Sequence, residues 1–176
     1  EMTLTYEWKL LNQGGIVDRT ISGKKDPIIK LGDIDNDGDL DLIYGSTSQG
    51  GKPELMRFDG KRLIQDPGND FFSGSSNISD AELGDINGDG KTDILLNNFS
   101  NNSTNNLQLY MSNKTGYDNV NLGEGLYNAK GRVIDLNNDG QAEVTLTGIT
   151  STTTSGVPKF YIYEYDKVKG SFKEKK

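Results

Sequence analysis

Oxygen-bearing side chains recur at alternate positions in three places along the chain. Hard-cation binding is the chemistry that such spacing can perform. The segments Asp33-Ile-Asp-Asn-Asp-Gly-Asp-Leu-Asp41, Asp85-Ile-Asn-Gly-Asp-Gly-Lys-Thr-Asp93 and Asp135-Leu-Asn-Asn-Asp-Gly-Gln-Ala-Glu143 share the pattern D-x-[DN]-x-D-G-x-x-[DE]. Calcium accepts about six to eight oxygen ligands and tolerates irregular geometry. Positions 1, 3, 5 and 9 supply Asp33, Asp35, Asp37 and Asp41 in the first loop. They supply Asp85, Asn87, Asp89 and Asp93 in the second, and Asp135, Asn137, Asp139 and Glu143 in the third. Position 7 holds Asp39, Lys91 and Gln141. A lysine ammonium has no lone pair to offer, so position 7 is expected to ligate through its backbone carbonyl. Position 6 is Gly38, Gly90 and Gly140, where a tight loop needs a positive-φ residue. The expectation is up to three Ca2+ ions, one per loop. The first loop should bind tightest, because it offers four carboxylates where the others offer three.

Asp, Asn and Gly also build ordinary turns, and for one loop that reading competes seriously. Three copies with ligand-type side chains at all four side-chain positions, starting 52 and then 50 residues apart, favour both a metal and a repeated architecture. The loops are not EF-hands. Those need a carboxylate at position 12 and flanking helices, and position 12 here is Tyr44, Leu96 and Leu146.

The flanks are β-prone. Ile29 and Leu31, Ala81 and Leu83, and Gly131 and Val133 alternate ahead of the loops, and Leu42–Tyr44, Ile94–Leu96 and Val144–Leu146 follow them. Position 2 is Ile34, Ile86 and Leu136, expected to plug each loop into a core. Aromatic-ended segments follow at Leu55–Phe58, Leu107–Tyr110 and Phe160–Tyr163, then shorter ones near Leu63–Ile64, Tyr117–Val120 and Phe172. Four strands in about 50 residues is the arithmetic of a propeller blade. Leu4–Trp8 and Gly15–Ile21 fit the last two strands of such a unit. The fold class is therefore all-β: β-propeller blades of four antiparallel strands, about three and a half in this chain. The repeats are expected at approximately 1–25 (half a blade), 26–78, 79–127 and 128–176.

Composition agrees. Hydrophobic residues make up 32% of the 176 residues and glycines number 22, which suits a turn-rich chain with little helix. The net charge is −7, and the ten carboxylates among the proposed side-chain ligands exceed it. The acidity is thus local and metal-directed, and a chain without a basic excess is not expected to bind nucleic acid. There is no Cys and no His, which excludes thiol chemistry, the usual zinc sites and any His-based triad. No apolar run is long enough to cross a membrane. The chain opens on Glu1 and reads as a mature or excised segment.

Leu31-Gly-Asp-Ile-Asp-Asn-Asp-Gly-Asp-Leu-Asp-Leu-Ile43 and Leu83-Gly-Asp-Ile-Asn-Gly-Asp-Gly-Lys-Thr-Asp-Ile-Leu95 resemble FG-GAP/VCBS repeats, the calcium-binding blades of integrin α-subunit heads and of many secreted bacterial proteins. The likeness runs from about Asp26 to Phe172. The third motif departs from it, with Ile134 ahead of position 1 and Glu143 at position 9. The resemblance implies a β-propeller with calcium in the loop between the first two strands of each blade, acting outside the cell in adhesion, recognition or support of other domains.

The expected function is that of an extracellular, secreted or cell-surface, non-catalytic module recognising a protein or glycan, with calcium mainly structural. Trp8, Tyr127, Tyr161 and Tyr165 could stack on sugars, although aromatics at strand spacing more often pack against neighbouring strands. The alternative is an accessory or structural domain of a larger secreted enzyme or surface protein. Catalysis by this chain itself is not expected, because nearly every clustered carboxylate is already assigned to calcium. Three and a half blades leave open ends, so self-association or further blades are expected.

Overall fold

A computed structural model describes residues 27–46, 53–61, 63–66, 72, 77–98, 107–122, 126–150 and 156–175. The half blade expected at 1–25, with Trp8, lies outside them. Among the described residues, twelve strands form three four-stranded antiparallel meanders. The first contains β1 (Pro27–Gly32), β2 (Asp41–Ser46), β3 (Glu54–Phe58) and β4 (Leu63–Gln65). The second contains β5 (Ile78–Gly84), β6 (Asp93–Asn98), β7 (Leu107–Ser112) and β8 (Tyr117–Val120). The third contains β9 (Tyr127–Ile134), β10 (Glu143–Ile149), β11 (Pro158–Asp166) and β12 (Ser171–Lys175). The chain is all-β and each meander is a propeller-type blade. Among the described residues the blades form an arc of three, with β1 against β5 and β5 against β9.

Each acidic loop joins the first two strands of its blade in the same register. Gly32 pairs with Asp41, Gly84 with Asp93 and Ile134 with Glu143. The last ladder pair therefore closes on position 9, and positions 1 to 8 bulge out beyond the strand ends.

A single sheet cannot bury both of its faces alone, so the hydrophobic cores lie between blades. One joins Ile34, Ile43, Leu55 and Phe72 to Ile78, Ile94, Leu96 and Tyr110 of the second blade. The other joins Ile86, Leu95, Leu107 and Leu109 to Ala129, Val144 and Leu146. Close approach between blades depends on missing side chains. A Cβ on Gly32 would collide with Leu83, and one on Gly84 would lie 2.6 Å from Val133 Cγ1. The matching residue of the third blade is Ile134, half-exposed, on a face that no further blade covers among the described residues.

The same asymmetry governs position 2. Ile34 and Ile86 are buried as expected, whereas Leu136 is 49% exposed. At the other end of the arc Ile29, Leu31 and Leu40 are exposed, while Ala81, Leu83 and Thr92 at the matching places of the second blade face the first.

Candidate metal centre

The three loops share one internal geometry. Position 1 clamps the turn with both carboxylate oxygens: Asp33 accepts from Asp37 N and Gly38 N, each at 3.1 Å. Asp85 accepts from Asp89 N and Gly90 N at 3.0 and 2.8 Å, and Asp135 from Asp139 N and Gly140 N at 3.2 and 2.9 Å. Position 5 accepts from the position 7 amide at 2.9 Å in Asp37, Asp89 and Asp139 alike. Gly38, Gly90 and Gly140 take φ of 94°, 84° and 86°. Position 4 is left-handed too, with Asn36 at 63°, Gly88 at 65° and Asn138 at 57°. The sequence carried that second signal, since Asn and Gly are the residues that tolerate this conformation.

These turns gather oxygen. In the first loop, carboxylate oxygens of Asp33, Asp35 and Asp37 lie within 4.8 Å of one another. Three like charges so close repel unless a cation sits among them. Asp41 is outside that group. At position 3 of the other loops, Asn87 Oδ1 and Asn137 Oδ1 accept from the position 5 amide at 2.9 and 3.0 Å. An all-oxygen donor set on a tight loop fits Ca2+.

Position 9 is buried and holds the loop to the blade. Asp41 and Asp93 are fully buried and Glu143 is 1% exposed. One oxygen accepts the position 2 amide: Ile34 N at 2.9 Å, Ile86 N at 2.7 Å, Leu136 N at 2.9 Å. In the first two blades the other oxygen accepts from the third strand, Phe58 N at 3.0 Å and Ser112 N at 2.6 Å. The longer Glu143 instead meets Asn137 Nδ2 at 3.2 Å and the Lys175 ammonium. Burial raises the Asp93 carboxyl above its ordinary pKa, against the opposing pull of its bonds from Ser112, Ile86 and Asn87. The exposed Asp139 is lowered, chiefly by the Gln141 amide and then by Asn137.

Position 7 turns its side chain away from the loop interior in the second and third blades. Lys91 Nζ donates to Asn113 O at 3.2 Å and Gln141 Nε2 to Tyr165 O at 2.7 Å. That orientation agrees with a ligand role confined to the backbone carbonyl.

Adjacent loops also bond to each other, which the sequence did not reveal. Position 8 of each following loop donates to the position 1 carbonyl of the loop before it: Thr92 Oγ1 to Asp33 O and Ala142 N to Asp85 O, both at 2.7 Å. Asn36 Nδ2 adds a bond to Gly90 O at 2.9 Å. The three loops therefore form a continuous chain along one end of the arc.

Of the suggested sugar-stacking aromatics, Tyr161 and Tyr165 pack against the second core. Tyr161 stacks on Tyr163 with ring centroids 5.9 Å apart. Tyr165 meets Phe172 edge-on at 5.2 Å, and both border a cleft of about 660 Å³ shared with Asn113, Asp118 and Asn121 of the second blade.

Residues 33–96 match the family model of the FG-GAP-like repeat. The match spans the first two acidic loops and the strands between them. No curated protein matches the sequence.

Proposed function

With residues 33–96 an FG-GAP-like repeat as premise, we propose that the chain is an extracellular, calcium-loaded β-propeller module. It presents loops and clefts to a protein or glycan partner and does no chemistry itself. The observation that carries this reading is the threefold recurrence of one oxygen-lined loop geometry, with the carboxylates of Asp33, Asp35 and Asp37 converging in the first copy. Calcium supplies positive charge among these carboxylates, and the loops span blade boundaries, so the ion acts on the scaffold. Extracellular fluid is where calcium is abundant enough to fill loops of this kind.

Recognition is supported by the cleft between the second and third blades. Tyr165 and Phe172 offer aromatic surface there, and Asn113, Asp118 and Asn121 offer polar groups. That mixture of flat apolar and hydrogen-bonding groups suits a sugar. The exposed Ile29, Leu31 and Leu40 at one end of the arc, and Ile134, Leu136 and Phe160 at the other, support contact with further blades or a second copy.

The test is a titration of the chelated protein with Ca2+, read by heat and by melting temperature, followed by a glycan array with and without calcium. Binding of up to three ions with a rise in melting temperature is expected, together with calcium-dependent capture on the array. A flat titration and an unmoved melting temperature would reject the calcium reading, and an array without hits would reject the glycan partner.

A further inference from the structure

The loops differ in what stands beside them. On the third strand, the residue after Met56, Tyr110 and Tyr163 is Arg57, Met111 and Glu164, because Met56, Tyr110 and Tyr163 each pair with the residue just after position 9. Diagonally across from them, at or just past the fourth strand and opposite Leu55, Leu109 and Ile162, stand Asp66, Val120 and Lys175. The first blade thus carries an Arg–Asp pair at this place, the second an apolar pair and the third a Glu–Lys pair.

Both cations reach into their loops. Arg57 Nη1 lies 2.8 Å from Asp35 Oδ2, as an ion pair without an aligned hydrogen bond, and 4.0 Å from the buried Asp41, while its Nε bonds Asp66. Lys175 bonds Glu143 and lies 3.3 Å from Glu164. In the second blade, among the described residues, no Lys or Arg forms an ion pair with Asp85, Asp89 or Asp93. The two nearby lysines donate to carbonyls, Lys91 to Asn113 and Lys167 to Gly88.

We propose that Arg57 and Lys175 are built-in counter-ions of the first and third acidic loops, so that calcium fills the second loop first. This rests on the calcium reading above and reverses the order that carboxylate counting alone suggests. In the first loop an entering ion meets a guanidinium already held on Asp35. In the third it meets an ammonium on the position 9 carboxylate. Among the described residues, the three carboxylates of the second loop accept hydrogen bonds and are held by no ion-paired cation. An incoming Ca2+ must weaken or displace the resident cation, and Arg57 borders a cleft of about 410 Å³ into which it can swing. The resident cations also hold these loops when calcium is scarce, so the first and third blades keep their shape across a wider calcium range than the second.

Calorimetric Ca2+ titration of the whole chelated chain tests this. The tightest step is expected to vanish in Asp89→Ala and to survive in Asp37→Ala. Two double variants copy the second blade's apolar pair without changing net charge: Arg57→Met with Asp66→Val, and Glu164→Met with Lys175→Val. Each is expected to tighten one weaker step by about tenfold, equal to about 1.4 kcal/mol, while Arg57→Lys leaves it weak. The proposal is overturned if Asp37→Ala removes the tightest step, or if folded double variants, checked by circular dichroism, leave every step unchanged. Absence of Ca2+ binding in the wild type and both double variants instead rejects the calcium reading itself.

Discussion

The side-chain amide of Asn97 pairs with the backbone of Gly131 across the boundary between the second and third blades. Asn97 Nδ2 donates to Gly131 O at 3.1 Å, and Gly131 N donates to Asn97 Oδ1 at 2.6 Å. Asn97 is 1% exposed, so this two-bond clasp replaces water for four buried polar groups. Gly131 permits it by having no Cβ, which would lie 2.5 Å from Leu95 Cδ2.

Asn97→Ala should therefore destabilise the chain by about 2–3 kcal/mol, since it strands a buried backbone donor and acceptor. In a chain of this size that corresponds to a melting temperature roughly 5–10 °C lower. Thermal denaturation in saturating calcium checks it.

Gly84→Val should be as damaging by a different route. The new side chain would occupy the place of Val133 Cγ1 and force the second and third blades apart. Overpacking of this kind typically costs about 1–3 kcal/mol. Gly38→Ala is the control: a Cβ there meets nothing within 4 Å, and its penalty is confined to backbone strain at φ 94°. Its expected effect is about 1 kcal/mol, read from urea unfolding.

Removal of calcium should lower the melting temperature, and the loss should be steeper at low salt, where clustered carboxylates repel over a longer range. Differential scanning calorimetry in chelator at two ionic strengths checks this. Because adjacent loops bond to each other through Thr92–Asp33 and Ala142–Asp85, emptying one should raise amide exchange in its neighbour.

In chelated protein the carboxyl of Asp93 should titrate above the ordinary aspartate range and that of Asp139 below it. Burial disfavours the Asp93 anion, so its contribution to stability is fully present below the unfolded pKa and is lost as pH rises through the raised folded value. Asp139 works the other way: its contribution is present above the unfolded pKa and is lost as pH falls through the lowered one. Carboxyl carbon NMR titration measures both, and reversal of their order would remove the account given of position 9.

Much of the site was legible because its determinants are local. Ligand-type residues at alternate positions, and a glycine where φ must be positive, impose the loop's shape whatever surrounds it. Position 4 carried a local signal of the same kind in Asn36, Gly88 and Asn138, although its left-handed backbone was read only from the structure. Strand order was legible for a related reason: short connections between β-prone runs favour antiparallel neighbours.

What the sequence by itself determined is the repeated unit: four strands, one acidic loop, and a period close to 50 residues. Only the tertiary structure decided what each copy of that unit meets. Ile34 and Ile86 are buried and Leu136 is exposed, though all three occupy the same position in their loops, because among the described residues only the first two have a following blade against them. Arg57 and Lys175 join the loops of their blades from strands 16 and 32 residues beyond position 9, while the matching side chains of the second blade are apolar. Local pattern sets backbone shape through short-range sterics and hydrogen bonds. Burial and charge balance depend on which surfaces meet, and residues distant in the chain meet only when strands pair within a blade and blades stack on one another.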